Sequence, residues 1–213
     1  MSDTYTIDAG RLRFAVENTP RVKHAATRGE PHDMSVLEDI RFNVPSSTLV
    51  VEVGAGIGVR TLWLAADGNN VIAFEPVHTF ELDRNVRRNW AFDIVRVEPV
   101  ALGADVGWAR KLENGHVEQV VLASQNVPPG VDVPVHKLDD YDIRPGVLLI
   151  DDVSRELDIL RGAERTLHRS SPRIYVKLSR HENEVSRVIG PWGYTFQATY
   201  FGRTSTFGVW SAE

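Results

Sequence analysis

Residues 49–66 read LVVEVGAGIGVRTLWLAA, and this stretch divides into three parts. Leu49, Val50, Val51 and Val53 form an apolar, mostly β-branched run of the kind expected of a parallel strand covered on both faces, interrupted by Glu52. Gly54, Gly56 and Gly58 then recur at every second position, where they permit positive φ and close approach of a ligand to the backbone. From Val59 onward, Leu62, Trp63, Leu64 and Ala66 fall at helical spacing. The order is strand, tight loop, helix. A helix that begins at such a loop points its free N–H groups into it, which suits a ligand with polar or anionic groups.

The glycine spacing separates two cofactor classes. A nicotinamide or flavin fingerprint needs G-x-G-x-x-G, but Val59 stands where its third glycine should be. The pattern is E-x-G-x-G-x-G, which resembles the first motif of class I S-adenosyl-L-methionine (SAM) methyltransferases. That resemblance implies that Gly54, Ala55, Gly56 and Gly58 pack under the methionine part of the cofactor and that Glu52 sits near its amino group. A second apolar run, Val71 to Phe74, ends in Glu75-Pro76 about twenty residues past the loop. An acidic side chain there can accept hydrogen bonds from both ribose hydroxyls.

Composition bounds the rest. A chain of 213 residues with 42% hydrophobic and 25% charged residues is long enough for one globular domain with a substantial core. The net charge of −5 argues against a protein that works by gripping phosphate backbones. With no cysteine, a disulfide framework, a thiolate metal site and a cysteine nucleophile are all excluded. The start, MSDTYTIDAGRLRF, lacks an apolar signal region and no apolar run approaches a membrane span, so a cytoplasmic protein is expected.

Outward from the loop, the chain reads as a single domain over 1–213, with a hairpin and cap over 1–47 and a Rossmann-like core over 48–213. Thr4 to Val16 suggests a small hairpin laid over the sheet, and the irregular stretch from Asn18 to Pro31 would cap a cofactor mouth. Met34 to Arg41 reads as a helix with Asp33 as N-cap. Thr79 to Trp90 reads as a helix with Phe80, Leu82, Val86 and Trp90 near one face, and Ile94 to Val97 as a third strand. Val100, Ala101 and Leu102 follow it, where a doubly wound fold brings its loop to an adenine. Ala109 to Leu112 and Glu118 to Leu122 are candidate strands of an insertion, and Val133 to Leu138 is a short strand. Val147 to Ile150 is a fourth core strand ending in Asp151-Asp152, Glu156 to Leu167 is helical, and Ile174 to Leu178 is a fifth core strand. Tyr194 to Thr199 and Thr204 to Trp210 close the chain as a hairpin. The fold class expected is α/β, a doubly wound, mostly parallel seven-stranded sheet with one antiparallel strand near the C-terminus.

The order of segments VVEVGAGIG, VIAFEP, VEPVALGADVG, VPVHKLDDY, LLIDDVSRELDILRGAERTL and PRIYVKL resembles the FkbM family of SAM-dependent methyltransferases, from about Gly29 to about Leu178. The resemblance implies SAM as cofactor, bound by Glu52, Gly54, Ala55, Gly56, Gly58, Glu75, Pro76 and Ala101, and methylation of a hydroxyl on a sugar, polyketide or related small molecule. The family usually carries I-D-V-E-G-A-E after the fourth strand. Here the run is Ile150-Asp151-Asp152-Val153-Ser154-Arg155-Glu156, so Asp151 and Glu156 match while the middle glutamate and glycine do not. The fifth strand typically ends in glutamate, and this chain has Lys177.

Methyl transfer to a hydroxyl needs collinear partners and removal of a proton. Asp151, at the end of the fourth strand, is the expected base or orienting group, with His32 in the capping segment as a second candidate base. The pair Asp151-Asp152 suggests a divalent cation, but Lys177 stands where further oxygen ligands would be needed, and no metal is expected. The partners expected are a small-molecule methyl acceptor and a second copy of the chain in a homodimer, with no membrane and no nucleic acid. Three alternatives stay open. Asp151 and Lys177, with Lys23 and Glu182 or Glu184, resemble the Lys-Asp-Lys-Glu set of ribose 2′-O-methyltransferases acting on RNA. The altered run after Asp151 is compatible with a SAM-binding module that has lost activity. The third, a nicotinamide oxidoreductase, is disfavoured by Val59.

Overall fold

The computed structural model describes residues 4–9, 12–17, 33–111, 117–120, 133–152, 155–178, 182–202 and 205–212. In chain order the elements are β1 (Thr4–Ala9), β2 (Leu12–Glu17), α1 (Met34–Asn43), β3 (Leu49–Val53), α2 (Val59–Ala66), β4 (Asn70–Phe74), α3 (Thr79–Arg88) and β5 (Val95–Glu98). Four short strands follow, β6 (Ala101–Leu102), β7 (Gly107–Lys111), β8 (Val117–Val120) and β9 (Val133–His136). The second half holds β10 (Val147–Ile150), α4 (Glu156–Arg161), α5 (Glu164–Ser170), β11 (Arg173–Lys177), α6 (Glu182–Ile189), β12 (Tyr194–Phe201) and β13 (Thr206–Ala212).

Seven strands form the central sheet in the order β12-β13-β11-β10-β3-β4-β5. The pairs from β11 to β5 are parallel, while β13 runs antiparallel to both β11 and β12. This is the expected doubly wound sheet with one reversed strand. The apolar runs are fully buried because both faces are covered. Val50, Val71, Ala73 and Leu149 pack on one side with Leu37, Ile40, Leu62, Leu82 and Val86 of α1, α2 and α3. Val51, Val53, Phe74, Leu148, Ile150 and Val176 pack on the other with Ile159, Leu160, Leu167, Val185 and Ile189 of α4, α5 and α6. From β3 the chain winds outward through β4 and β5, then returns to β10 and winds the other way through β11. The switch point therefore lies between the carboxyl ends of β3 and β10, where open α/β sheets hold their ligands.

Several elements differ from the sequence expectation, each for a local reason. The hairpin β1–β2 lies against α2 and α3 rather than on the sheet: the Ala15 N–H donates to Asn89 Oδ1 at 2.8 Å and Asn89 Nδ2 donates to the Ala15 carbonyl at 2.6 Å. Helix α3 buries Leu82, Asn85 and Val86, one face at three- and four-residue steps. Phe80, two positions from Leu82, is therefore turned to solvent, and Trp90, beyond the helix end at φ 55°, is exposed as well. The helix expected over Glu156 to Leu167 breaks at Gly162. There Asp139, in the turn Leu138–Tyr141, accepts the N–H groups of Arg165 and Thr166 at 3.0 and 2.8 Å, capping a second helix from outside. The insertion between β5 and β10 forms a four-stranded sheet, β6-β9-β7-β8, and residues 182–189, unassigned from sequence, form α6.

Candidate functional site

The glycine loop bends tightly at the carboxyl end of β3. Gly54 adopts φ 79°, and a Cβ there would meet the Asp151 carbonyl oxygen at 2.6 Å, so only glycine lets β3 and β10 run this close at the switch point. Gly56, at φ 58°, is different: a Cβ there would meet no atom of the described residues within 4 Å, so open space lies in front of it among them. Gly58 is the N-cap residue of α2, and Ala55 and Ile57 between the glycines are buried.

Glu75 follows β4 and is almost wholly buried. Its Oε2 accepts the Gly56 N–H at 2.7 Å, and its Oε1 accepts the N–H groups of Val77 and His78 at 2.7 and 2.9 Å. One carboxylate thus ties the glycine loop to the start of α3 across nineteen residues of sequence, and Pro76 lies half-buried between these contacts. Ala101 is buried in β6 among Ala109, Val133 and Val135 and paired with Val135 of β9.

Beneath the loop is a cluster of charge whose centre, Arg60, the sequence did not single out. Its Nε donates to Glu52 at 3.0 Å, its Nη1 lies 3.1 Å from Asp33 and 2.6 Å from Asp151, and its Nη2 donates to the Gly54 carbonyl at 3.3 Å. Asp151 is held from its other side by Lys177 Nζ at 2.7 Å, at the end of the adjacent strand β11. Asp33 accepts the Ser205 hydroxyl, which ties the start of α1 to the β12–β13 turn. Glu52 accepts the Thr61 hydroxyl at 2.6 Å and has no exposed surface. Eight residues from six parts of the chain therefore converge at the carboxyl ends of β3, β10 and β11. The one local signal for Arg60 was an arginine in the first turn of an otherwise apolar helix, eight residues past a carboxylate in a buried strand.

The electrostatics follow from burial and partners. Burial pushes the Glu52 carboxyl above its ordinary range, and Arg60 and Thr61 only partly oppose this. Burial also acts to raise Asp151, but the two cations Arg60 and Lys177 outweigh it and hold that carboxyl below its ordinary value. Asp151 is thus a fixed anion at neutral pH, suited to accept and orient a hydroxyl hydrogen bond rather than to take up a proton.

The structure brings Glu52, Gly54, Gly56, Gly58, Glu75 and Asp151 to one edge of the sheet. Of the Lys-Asp-Lys-Glu set, Asp151 and Lys177 are in contact, Glu182 and Glu184 lie on α6, and Lys23 lies outside the described residues, as does the separate candidate base His32. Among the described residues no helix is long and apolar enough to cross a membrane, and no group of three or more histidine, aspartate or glutamate side chains is placed to hold a metal ion. The residues present fit a SAM molecule on one structural ground: Gly56 leaves room at the loop, and a buried carboxylate stands beside that room at the position of a ribose clasp.

No family model matches the chain, and no curated protein matches it. Its fold is shared with solved methyltransferases. The methyltransferase FkbM from Methylobacillus flagellatus KT superposes with a TM-score of 0.58 at 18% identity, over 78% of this chain and 43% of that one, so this chain spans less than half of that protein's length. A putative methyltransferase, yhhF, from Escherichia coli superposes with a TM-score of 0.57 at 13% identity, over 99% and 98% of the two chains. The magnesium protoporphyrin IX methyltransferase ChlM from Synechocystis PCC 6803, crystallised with bound SAM, gives 0.54 at 11% identity, over 85% and 80%. The chain has the Rossmann-like fold of class I SAM-dependent methyltransferases.

Proposed function

We propose that this chain is a cytoplasmic SAM-dependent O-methyltransferase acting on a hydroxyl of a small molecule such as a sugar or polyketide. The observation that carries the reading is the contact of Glu75 Oε2 with the Gly56 N–H at 2.7 Å, beside open space at the switch point of the sheet. When bound, SAM supplies an electrophilic methyl group on a sulfonium. Glu75 would hold the ribose diol, since two of its three backbone hydrogen bonds fall on Oε1 and Oε2 keeps lone-pair capacity for a hydroxyl. The loop from Gly54 to Gly58 would carry the methionine portion, with Glu52 fixed below it by Arg60 and Thr61.

Asp151 would accept a hydrogen bond from the acceptor hydroxyl and aim its oxygen along the line of displacement. Lys177 and Arg60 fix the Asp151 carboxylate from two sides, so its direction does not depend on the acceptor. His32, the residue before Asp33 in the sequence, is assigned the proton, because an imidazole titrates near neutral pH and the ion-paired Asp151 does not. Calorimetric titration with SAM and with its demethylated product, S-adenosylhomocysteine, followed by a methyl-release assay against hydroxylated metabolites, tests this. Binding with turnover on such an acceptor is expected. Binding without turnover on any acceptor would favour a binding module, and binding of neither compound would overturn the reading.

A further inference from the structure

Arg155 stands four residues beyond Asp151, at the N-cap position of α4, and is 7% exposed. Its Nη2 donates to the Leu102 carbonyl at 2.8 Å. Leu102 ends β6, just past the carboxyl end of β5, so Arg155 joins the segment that follows β10, one of the two switch-point strands, to the segment that follows the edge strand β5. Its Nη1 is also buried and has no hydrogen-bond partner among the described residues. A guanidinium stays charged at any working pH, and a charged donor taken out of water and left unpaired is one of the costliest features a fold can keep. Such a group is retained where something completes it. The arm already bound to Leu102 sets the plane of the fork, which fixes the direction in which the other arm can donate.

We propose that Arg155 is the anion-binding residue of the acceptor pocket, its Nη1 receiving an oxygen of a carboxylate or phosphate on the methyl acceptor. The inference rests on the methyltransferase reading above and narrows it: the acceptor is a hydroxylated acid or a phosphate ester, not a neutral sugar. Arginine suits both oxyanions because its planar donors match their geometry, and a charge-assisted hydrogen bond made out of water is strong.

The test uses the whole chain loaded with S-adenosylhomocysteine and titrated in a calorimeter with inorganic phosphate and, separately, with lactate, chloride being added to keep ionic strength constant. One of the two anions is expected to bind, and to bind Arg155→Met at least roughly tenfold more weakly. The anion that binds tells a phosphate ester from a hydroxy acid. Arg155→Lys, which keeps the charge but loses the fork, should recover part of the affinity, and it supplies the comparison if Arg155→Met does not fold. The affinity for S-adenosylhomocysteine should be the same in all three proteins, which a merely structural arginine would not ensure. Binding of neither anion, or equal binding by wild type and Arg155→Met, would overturn the proposal and leave a water molecule as the partner of Nη1. Failure of S-adenosylhomocysteine to bind the wild type would instead overturn the methyltransferase reading, and this acceptor assignment with it.

Discussion

Replacing Arg60 by methionine keeps the aliphatic stem and deletes the cation that three carboxylates share. The three do not lose equally. Asp151 keeps Lys177 at 2.7 Å and Asp33 keeps the Ser205 hydroxyl, but Glu52, with no exposed surface, is left among the described residues with only the Thr61 hydroxyl. Removing one partner of a buried ion pair costs about 3–5 kcal/mol, and Glu52 alone accounts for most of that here. For a chain of this size each kcal/mol moves the melting temperature by roughly 2–4 °C, so a fall of roughly 6–20 °C is expected at neutral pH. The pH dependence gives the sharper check. Burial already raises the Glu52 carboxyl above its ordinary 4.5, and loss of Arg60 raises it further, so the folded variant binds a proton that the unfolded chain has released. Stability then falls as pH rises, and the variant's deficit should be smaller near pH ~5 than near pH ~8. Thermal unfolding followed by circular dichroism at the two pH values measures both effects. A melting temperature within about 2 °C of wild type at neutral pH, or a deficit independent of pH, would refute the idea that Arg60 neutralises a buried carboxylate.

Gly56→Val should abolish SAM binding measured by calorimetry, because the branched side chain would fill the open space in front of the loop and must also adopt φ 58°; unchanged affinity would remove the cofactor from this site. Asp39→Asn should destabilise the chain by about 2–3 kcal/mol in urea unfolding, since Asp39 accepts from Tyr175, Tyr200 and Arg173 at 2.6, 2.5 and 3.0 Å and so ties α1 to β11 and β12. Burial acts to raise Asp39, yet these partners hold it below its ordinary 3.8, so the wild type keeps this contribution at neutral pH and loses it only as pH falls through the depressed value. Asp151→Asn should lower turnover by roughly a hundredfold through misaligned acceptor while SAM affinity stays within a few-fold. Equal loss of both would make Asp151 a cofactor ligand.

The parts of this protein that could be read from its sequence are those fixed by neighbours along the chain. Val147 to Ile150 is a strand over the residues expected, because four consecutive apolar residues bounded by Pro145-Gly146 and Asp151-Asp152 leave a doubly covered strand little choice. The glycine loop was legible for the same reason, since three alternating glycines between a strand and a helix describe a backbone path without reference to anything distant. The helix break at Gly162 was not legible, because the carboxylate that caps α5 comes from Asp139, twenty-five residues earlier. Phe80 and Trp90 misled in another way. Both are large and apolar, yet α3 presents only the face of Leu82 and Val86 to the core, and the end of the helix frees Trp90 altogether.

The charge cluster gives Lys177 a structural reason. Asp33, Glu52 and Asp151 arrive from three separate segments, and with Arg60 as their only cation they would carry an excess of two negative charges at the mouth of the sheet. A glutamate at the end of β11, the residue the family resemblance leads one to expect, would stand beside Asp151 and make that excess three. Lysine at position 177 instead reduces it to one, and its ammonium lies 2.7 Å from the carboxylate that needs it. Arg60 and Lys177 therefore act as one device with two parts. The arginine binds inward to Glu52, Asp33 and the Gly54 carbonyl, setting the loop, and the lysine holds the outward side of Asp151, setting the group that would meet an acceptor. Taken alone, Lys177 is an anomaly at the end of a strand; as the second cation over three convergent carboxylates, it acts with Arg60 to keep Asp151 an anion there.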